Sequence, residues 1–261
     1  MATINNLKNI EMVVFDWAGT TIDFGCFAPV RAFIEAFESF EIEPTIEEVR
    51  EPMGMLKIDH IRTMINMPRI KKLWEQKYNQ APNEANVQQV YQVYEEILLS
   101  VLYRYTNPKA DTLKVVSYLR DKGIKIGSTT GYNKKMMDIV TRGAEMYGYK
   151  PDCVVCPDNV DNYGRPYPYM IFENMKRLGI NNVRNVLKIG DTVSDIKEGK
   201  NAGVVTAGVI VGSSEMGLAQ EQYDELSLNK QQQKCLEVKQ KFIDAGADIV
   251  FETLEDLLNY M

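Results

Sequence analysis

Met12-Val13-Val14-Phe15-Asp16-Trp17-Ala18-Gly19-Thr20-Thr21 sets a carboxylate where a short apolar run opens into a Gly/Thr turn. An unbroken apolar run, without the alternation of a half-exposed strand, predicts a strand buried on both faces, as parallel strands are. An aspartate at the tip of such a strand reads as a positioned nucleophile or metal ligand. Ala18, two residues on, supplies no second acid, because a methyl group can neither hold nor deliver a proton.

Working outward, similar short, β-branched-rich runs predict strands at residues 124–128, 153–155, 186–189, 204–211 and 249–251. Helix-like segments alternate with them, which predicts an α/β fold, a parallel sheet covered by helices. The stretch between the first two strands carries only helical signals, at residues 30–40, 46–50, 57–66 and 87–103. We read residues 24–105 as an inserted all-helical domain and residues 1–23 and 106–261 as the core. An insertion directly after the Asp16 turn can close over the carboxyl ends of the strands, where open α/β sheets bind ligands.

The chain has 261 residues, 45% hydrophobic and 25% charged, enough to bury one large core or two smaller ones. A net charge of -6 argues against nucleic acid as a partner. No run approaches the ~18 apolar residues of a membrane helix, and the N-terminal stretch 1–11 is polar, so the expected location is cytoplasmic, with no membrane partner. The four cysteines are irregularly spaced, and the Cys153/Cys156 pair falls in a buried-strand pattern, which reads as structural. Residues 229–241, rich in Gln and Lys, read as a solvated helix lying on the core.

Polar signals recur at the ends of the other strands. Gly127-Ser128-Thr129-Thr130-Gly131-Tyr132 precedes a helix beginning near Lys134 and offers hydroxyls and backbone N–H groups suited to an anionic oxygen. Gly164-Arg165-Pro166 supplies a fixed positive charge, with the proline read as lying in the first turn of a helix. Gly190-Asp191-Thr192-Val193-Ser194-Asp195 carries two carboxylates that can face one hard cation such as Mg²⁺. Taken singly, each is better read as a cap, a turn or a surface residue. Their order, at successive strand ends on one face, points to a single site.

Together the Asp16 turn, the Ser/Thr loop, Arg165 and the Gly190–Asp195 segment resemble the four motifs of the haloacid dehalogenase superfamily. The Asp-Trp-Ala-Gly-Thr form is similar to its phosphonoacetaldehyde hydrolase (phosphonatase) family. So are Gly25-Cys26-Phe27-Ala28-Pro29, Pro52-Met53-Gly54-Met55-Leu56-Lys57-Ile58-Asp59-His60 and Gly164-Arg165-Pro166-Tyr167-Pro168. The resemblance implies a Rossmann-like core, a helical cap, Mg²⁺, and an aspartyl-phosphate on Asp16. It implies Asp16, the Ala18 carbonyl and Asp191 as metal ligands, with Asp195 holding metal-bound water or orienting its neighbours. Thr130, Gly131 and Arg165 would bind the phosphoryl group, and Cys26, Met53 and Tyr132 would line the pocket. It also implies a homodimer paired through the caps and, as substrate, the small molecule phosphonoacetaldehyde, whose hydrolysis to acetaldehyde and phosphate belongs to 2-aminoethylphosphonate degradation.

Within that resemblance Ala18 has a chemical meaning. A phosphate ester loses an oxygen that an acid can protonate; this phosphonate loses a carbon. Condensation of Lys57 with the aldehyde gives a protonated imine, an electron sink for the breaking bond. Lys57 must then be neutral, whereas at an ordinary pKa of ~10.4 only about one in 2,500 is neutral at pH 7. Lowering the pKa by about three units costs roughly 4 kcal/mol, within reach of burial and cationic neighbours. His60, the one histidine, shares a helix face with Lys57; the resemblance makes it a proton shuttle, and its position alone reads as structural. A phosphomonoesterase or phosphomutase of the same superfamily, and a catalytically silent Mg²⁺- or phosphate-binding protein, stay open as alternatives.

Overall fold

The computed structural model describes residues 7–261; the first six residues of the polar N-terminal stretch lie outside them. β1 (Met12–Phe15) is followed by five helices, α1 (Phe27–Glu38), α2 (Ile46–Arg50), α3 (Lys57–Ile65), α4 (Pro68–Tyr78) and α5 (Glu84–Val101). Then come α6 (Thr112–Asp121), β2 (Lys125–Thr129), α7 (Lys134–Met146), β3 (Cys153–Val155), α8 (Tyr169–Leu178) and β4 (Val186–Gly190). The chain closes with α9 (Val193–Ala202), β5 (Val205–Val209), α10 (Gln220–Asp224), α11 (Leu228–Asp244) and β6 (Ile249–Phe251).

The strands form one parallel six-stranded sheet in the order β3-β2-β1-β4-β5-β6. β1 is apolar throughout because helices cover both faces: Val13 and Phe15 enter one hydrophobic cluster, Met12 and Val14 another with Ile171 and Val186. The strand order reverses at β1, which makes its carboxyl end the switch-point crevice. Phe15 pairs with Ser128 on β2 and with Ile189 on β4. The next residue along each chain, Asp16, Thr129 and Gly190, therefore stands at one level above the sheet.

Residues 24–105 hold no strand. Their helices bury Phe33, Tyr94 and His60 together, with Phe33 stacked on Tyr94 at 4.1 Å and on His60 at 3.8 Å between centroids. α4 falls where the periodicity predicts nothing, since only Ile70 and Trp74 are buried in an otherwise charged helix. That one-turn spacing is narrower than the usual apolar stripe. α8 starts at Tyr169 with Pro168 as its N-cap, so Pro166 is not in its first turn as its sequence suggests; the Arg165–Pro166 peptide is cis. Among the described residues, no helix is long and apolar enough to cross a membrane.

The first linker to the insert has an unusual backbone: Asp23, Gly25 and Cys26 have φ of 49°, 78° and 56°. Left-handed conformations are costly for residues with a Cβ. The Asp23 carboxylate supports the arrangement by accepting from the backbone N–H groups of Phe27 (3.0 Å) and Ala28 (3.1 Å) at the start of α1. Burial nonetheless pushes its pKa up to about 7, against those bonds and the nearby charges of Arg50 and Lys57. The unfolded value is ~3.9. Between these values the folded chain holds a proton that the unfolded chain has lost, so this group makes stability fall as pH rises toward 7 and level off above. Asp23→Asn is expected to remove that component, on the order of 4 kcal/mol. Denaturant midpoints at pH 5 and pH 8 check it: an equal drop in wild type and variant would refute it.

Candidate active site

Asp16 is fixed by its backbone N–H, which donates to the Ile189 carbonyl at 2.9 Å. Its carboxylate accepts from Arg165 Nη2 at 2.6 Å. Asp191, one residue beyond β4, accepts from Thr20 Oγ1 (3.2 Å) and from the Ser214 backbone N–H (2.7 Å). It lies flat on Gly19, where a Cβ would stand 2.1 Å from Asp191 Oδ2; Gly19 has φ +88°, so glycine is required there twice over. Asp195 occupies the first turn of α9, its Oδ2 accepting from the N-cap hydroxyl of Thr192 at 2.6 Å. Oxygens of these three buried aspartates lie within 4.8 Å of one another.

Their charges are incompletely balanced. Arg165 Nη1 lies 3.1 Å from Asp195 and its Nε 3.0 Å from Glu198, while Lys188 Nζ lies 2.8 Å from Asp195 and 3.3 Å from Glu198. Burial alone would weaken the Arg165 guanidinium, but the carboxylates of Asp16, Asp195 and Glu198 overcome it and keep it protonated. These four buried carboxylates, Asp16, Asp191, Asp195 and Glu198, face two cations in direct contact. Asp191 has no ion pair among the described residues, and burial, then Asp16 and Asp195, hold its pKa well above the usual range. An oxygen-only cluster short of positive charge fits a hard divalent cation. Asp195 behaves differently: Arg165 and Lys188 outweigh the effect of burial and hold its carboxyl below the usual range.

From the insert, Lys57 opens α3 and is only 5% exposed. Burial lowers its pKa, Arg165 adds to that, and Asp16 and Asp191 oppose it. The positive end of α3 also disfavours an ammonium at this position. Against this, Nζ stands 5.2 Å from the Tyr132 ring centroid and 5.8 Å from that of Phe33, a contact that favours the charged form. The buried Cys26 thiol is pushed well above its ordinary pKa by burial, with Asp23 and Asp191 adding to the effect. It is therefore neutral and leaves no thiolate to hold Lys57 protonated. His60 lies one turn further along α3, fully buried, its Nε2 2.9 Å from the Val49 carbonyl. That contact requires the Nε2–H tautomer and leaves Nδ1 as an acceptor with no partner among the described residues. Burial, with Lys57 nearby, pushes its pKa well below the ordinary value.

Core and insert meet around one small cavity of about 20 Å³. The core lines it with Asp16, Ala18, Thr130, Gly131, Tyr132, Arg165 and Asp191; the insert lines it with Cys26, Met53 and Lys57. Asp195 and His60 are not among its lining residues. The fit is backbone-close: a Cβ on Gly54 would lie 2.3 Å from Thr192 Oγ1, and one on Gly131 2.5 Å from the Met55 carbonyl. Larger hollows, of about 410, 710, 570 and 430 Å³, include none of the three aspartates. Thr130 does not cap α7, a part taken by Asn133; its hydroxyl accepts from the Tyr132 N–H at 3.1 Å. Lys188 and Glu198 join the carboxylate cluster from outside the motifs, and Thr129, inside the Ser/Thr loop, bonds to both of them and to Arg165. A lysine inside the apolar run of β4 was the one visible signal of Lys188 and Glu198.

A family model described as haloacid dehalogenase-like hydrolase matches residues 10–203. A phosphonoacetaldehyde hydrolase of Bacillus cytotoxicus is 50% identical over 248 residues, 95% of this chain and 94% of that protein. One from Bacillus cereus is 48% identical over 252 residues, 97% and 95% of the two chains. The crystal structure of a phosphonoacetaldehyde hydrolase-like protein from Oleispira antarctica superposes with a TM-score of 0.93 at 36% identity, covering 98% of this chain and 93% of that one. With this match running through nearly its whole length, the chain belongs to the haloacid dehalogenase-like hydrolases and, within them, to the phosphonoacetaldehyde hydrolase family.

Proposed function

We propose that this protein hydrolyses the carbon–phosphorus bond of phosphonoacetaldehyde, giving acetaldehyde and phosphate. The observation that carries this reading is that a buried lysine of the insert, Lys57, and the strand-end carboxylate Asp16 line one small cavity with Ala18, and no acid occupies the Ala18 position. A phosphomonoesterase or phosphomutase needs an acid there for its oxygen leaving group.

Neutral Lys57 attacks the aldehyde carbon, and loss of water gives the protonated imine. Nδ1 of His60, the unpartnered acceptor of the α3 face, relays the proton of the attacking amine to the departing oxygen, and one further proton taken up from solvent leaves the imine protonated. Asp16 attacks phosphorus while the electrons of the breaking C–P bond pass into the imine, leaving an enamine on Lys57 and an acyl phosphate on Asp16. Arg165, Thr130 and Gly131 hold the phosphoryl oxygens, where developing charge is best stabilised by preorganised donors. Protonation of the enamine carbon and hydrolysis release acetaldehyde, and water cleaves the acyl phosphate.

Asp16, Asp191 and the Ala18 carbonyl would hold Mg²⁺, which supplies positive charge to the phosphoryl oxygens. Asp195, already bound to Arg165, Lys188 and Thr192, orients these neighbours. Residues 24–105 act as the cap that brings Lys57 to Asp16. A cytoplasmic homodimer belongs to the same proposal, and light scattering giving a monomer mass would remove the dimer.

Reductive trapping tests the reaction. Borohydride added during turnover is expected to leave a two-carbon adduct on Lys57, located by peptide mass spectrometry. An adduct on another lysine, or none, would sink the imine route.

A further inference from the structure

Arg50 ends α2 on the insert, yet its guanidinium reaches the core. Nη1 donates to the Gly25 carbonyl (3.1 Å), the Ser214 carbonyl (3.0 Å) and Ser214 Oγ (3.3 Å). The group is braced from both sides, by the Phe27 ring at 5.2 Å and by Gly217, where a Cβ would lie 3.1 Å from Nε. Ser214 in turn gives its backbone N–H to Asp191 Oδ2 at 2.7 Å. The same segment, residues 211–217, is gripped at its start by both linkers: Gly25 N–H donates to the Gly212 carbonyl (2.7 Å) and Lys109 Nζ to the Val211 carbonyl (2.7 Å). One short loop therefore touches the insert, its two linkers and the unpaired carboxylate of the acidic cluster.

We propose that Arg50 is a positioning residue that couples seating of the insert to the geometry of Asp191. With the insert seated, Arg50 fixes Ser214 through its carbonyl and hydroxyl, and the N–H of the same residue holds Asp191 Oδ2 while Thr20 holds Oδ1, so the carboxylate is set in one orientation toward the cation. The inference rests on Asp191 being a metal ligand. Electrostatics alone makes the opposite prediction. Arg50 is a positive charge near Asp191, so removing it would tighten cation binding, whereas loss of positioning weakens it.

The test is titration of the whole protein with Mn²⁺, the free ion being read by electron paramagnetic resonance, for wild type, Arg50→Met, Arg50→Lys and Asp191→Asn. Outer residues that orient metal ligands are typically worth 10–100-fold in affinity. Arg50→Met is expected to bind Mn²⁺ about tenfold more weakly, and Arg50→Lys, which keeps an ammonium donor, to fall between it and wild type. Wild-type or tighter binding by Arg50→Met overturns the coupling, even if turnover falls. If Arg50→Met does not fold, Arg50→Lys decides: a loss of about threefold or more supports the proposal and wild-type affinity overturns it. Unchanged Mn²⁺ binding in Asp191→Asn would instead remove the ligand assignment on which the coupling rests.

Discussion

Lys57→Arg is expected to fold normally and to lose about a thousandfold or more in kcat, roughly 4 kcal/mol of barrier. The reasoning turns on proton affinity. Lysine here is pushed toward its neutral form by burial and by Arg165, and a neutral amine can condense with an aldehyde. A guanidinium stays protonated at any working pH and has no free amine to offer. Without the imine, the electrons of the C–P bond have only an unstabilised carbanion to occupy. The measurement is turnover beside thermal melting, together with borohydride trapping, which the variant should fail. Retention of more than about a tenth of wild-type turnover in a folded variant would mean that Lys57 is not the electron sink.

Asp16→Asn is expected to cost more, about 10⁴ or greater in kcat, because an amide cannot form the acyl phosphate. Its second phenotype is more specific. Imine formation at Lys57 does not use the Asp16 carboxylate as a nucleophile, so borohydride should still trap substrate on Lys57, now with phosphorus retained in the adduct. A dephosphorylated two-carbon adduct in this variant would show that another group attacks phosphorus. Loss of the Asp16 carboxylate also removes a partner 2.6 Å from Arg165. The melting curve is therefore needed beside the kinetics, so that loss of fold is not read as loss of chemistry.

Part of this site is legible in the sequence for simple physical reasons. β1 spans the residues its apolar run predicts because every one of them is fully buried. Asp16 and Asp191 are legible because strand ends with Gly and Thr neighbours announce themselves locally. Lys57 is not announced by its spacing; the resemblance of the segment 52–60 brought it forward. The predicted strand 204–211 is longer than the observed Val205–Val209, since the apolar run continues into the loop that feeds Ser214. Arg50 and Ser214 escape sequence reading because their contact spans 164 residues, and no local pattern encodes it. Glu198 is similarly hidden: one turn beyond Asp195 on α9 it resembles an ordinary surface acid, and its contacts with Arg165, Lys188 and Thr129 explain its burial.

The glycine-lined seam between Gly54 and Thr192, and between Gly131 and Met55, leaves a chamber of about 20 Å³. By volume that is room for about one water molecule. The proposed chemistry releases one water on condensation and consumes two in hydrolysing the enzyme-bound imine and the acyl phosphate. Solvent is thus a counted reagent, and a chamber of this size cannot supply it from stock. A chamber of about 20 Å³ does not hold the substrate and that water together, so the proposed cycle requires the seam to part, and the traffic of water adds to that of substrate in setting how often it does.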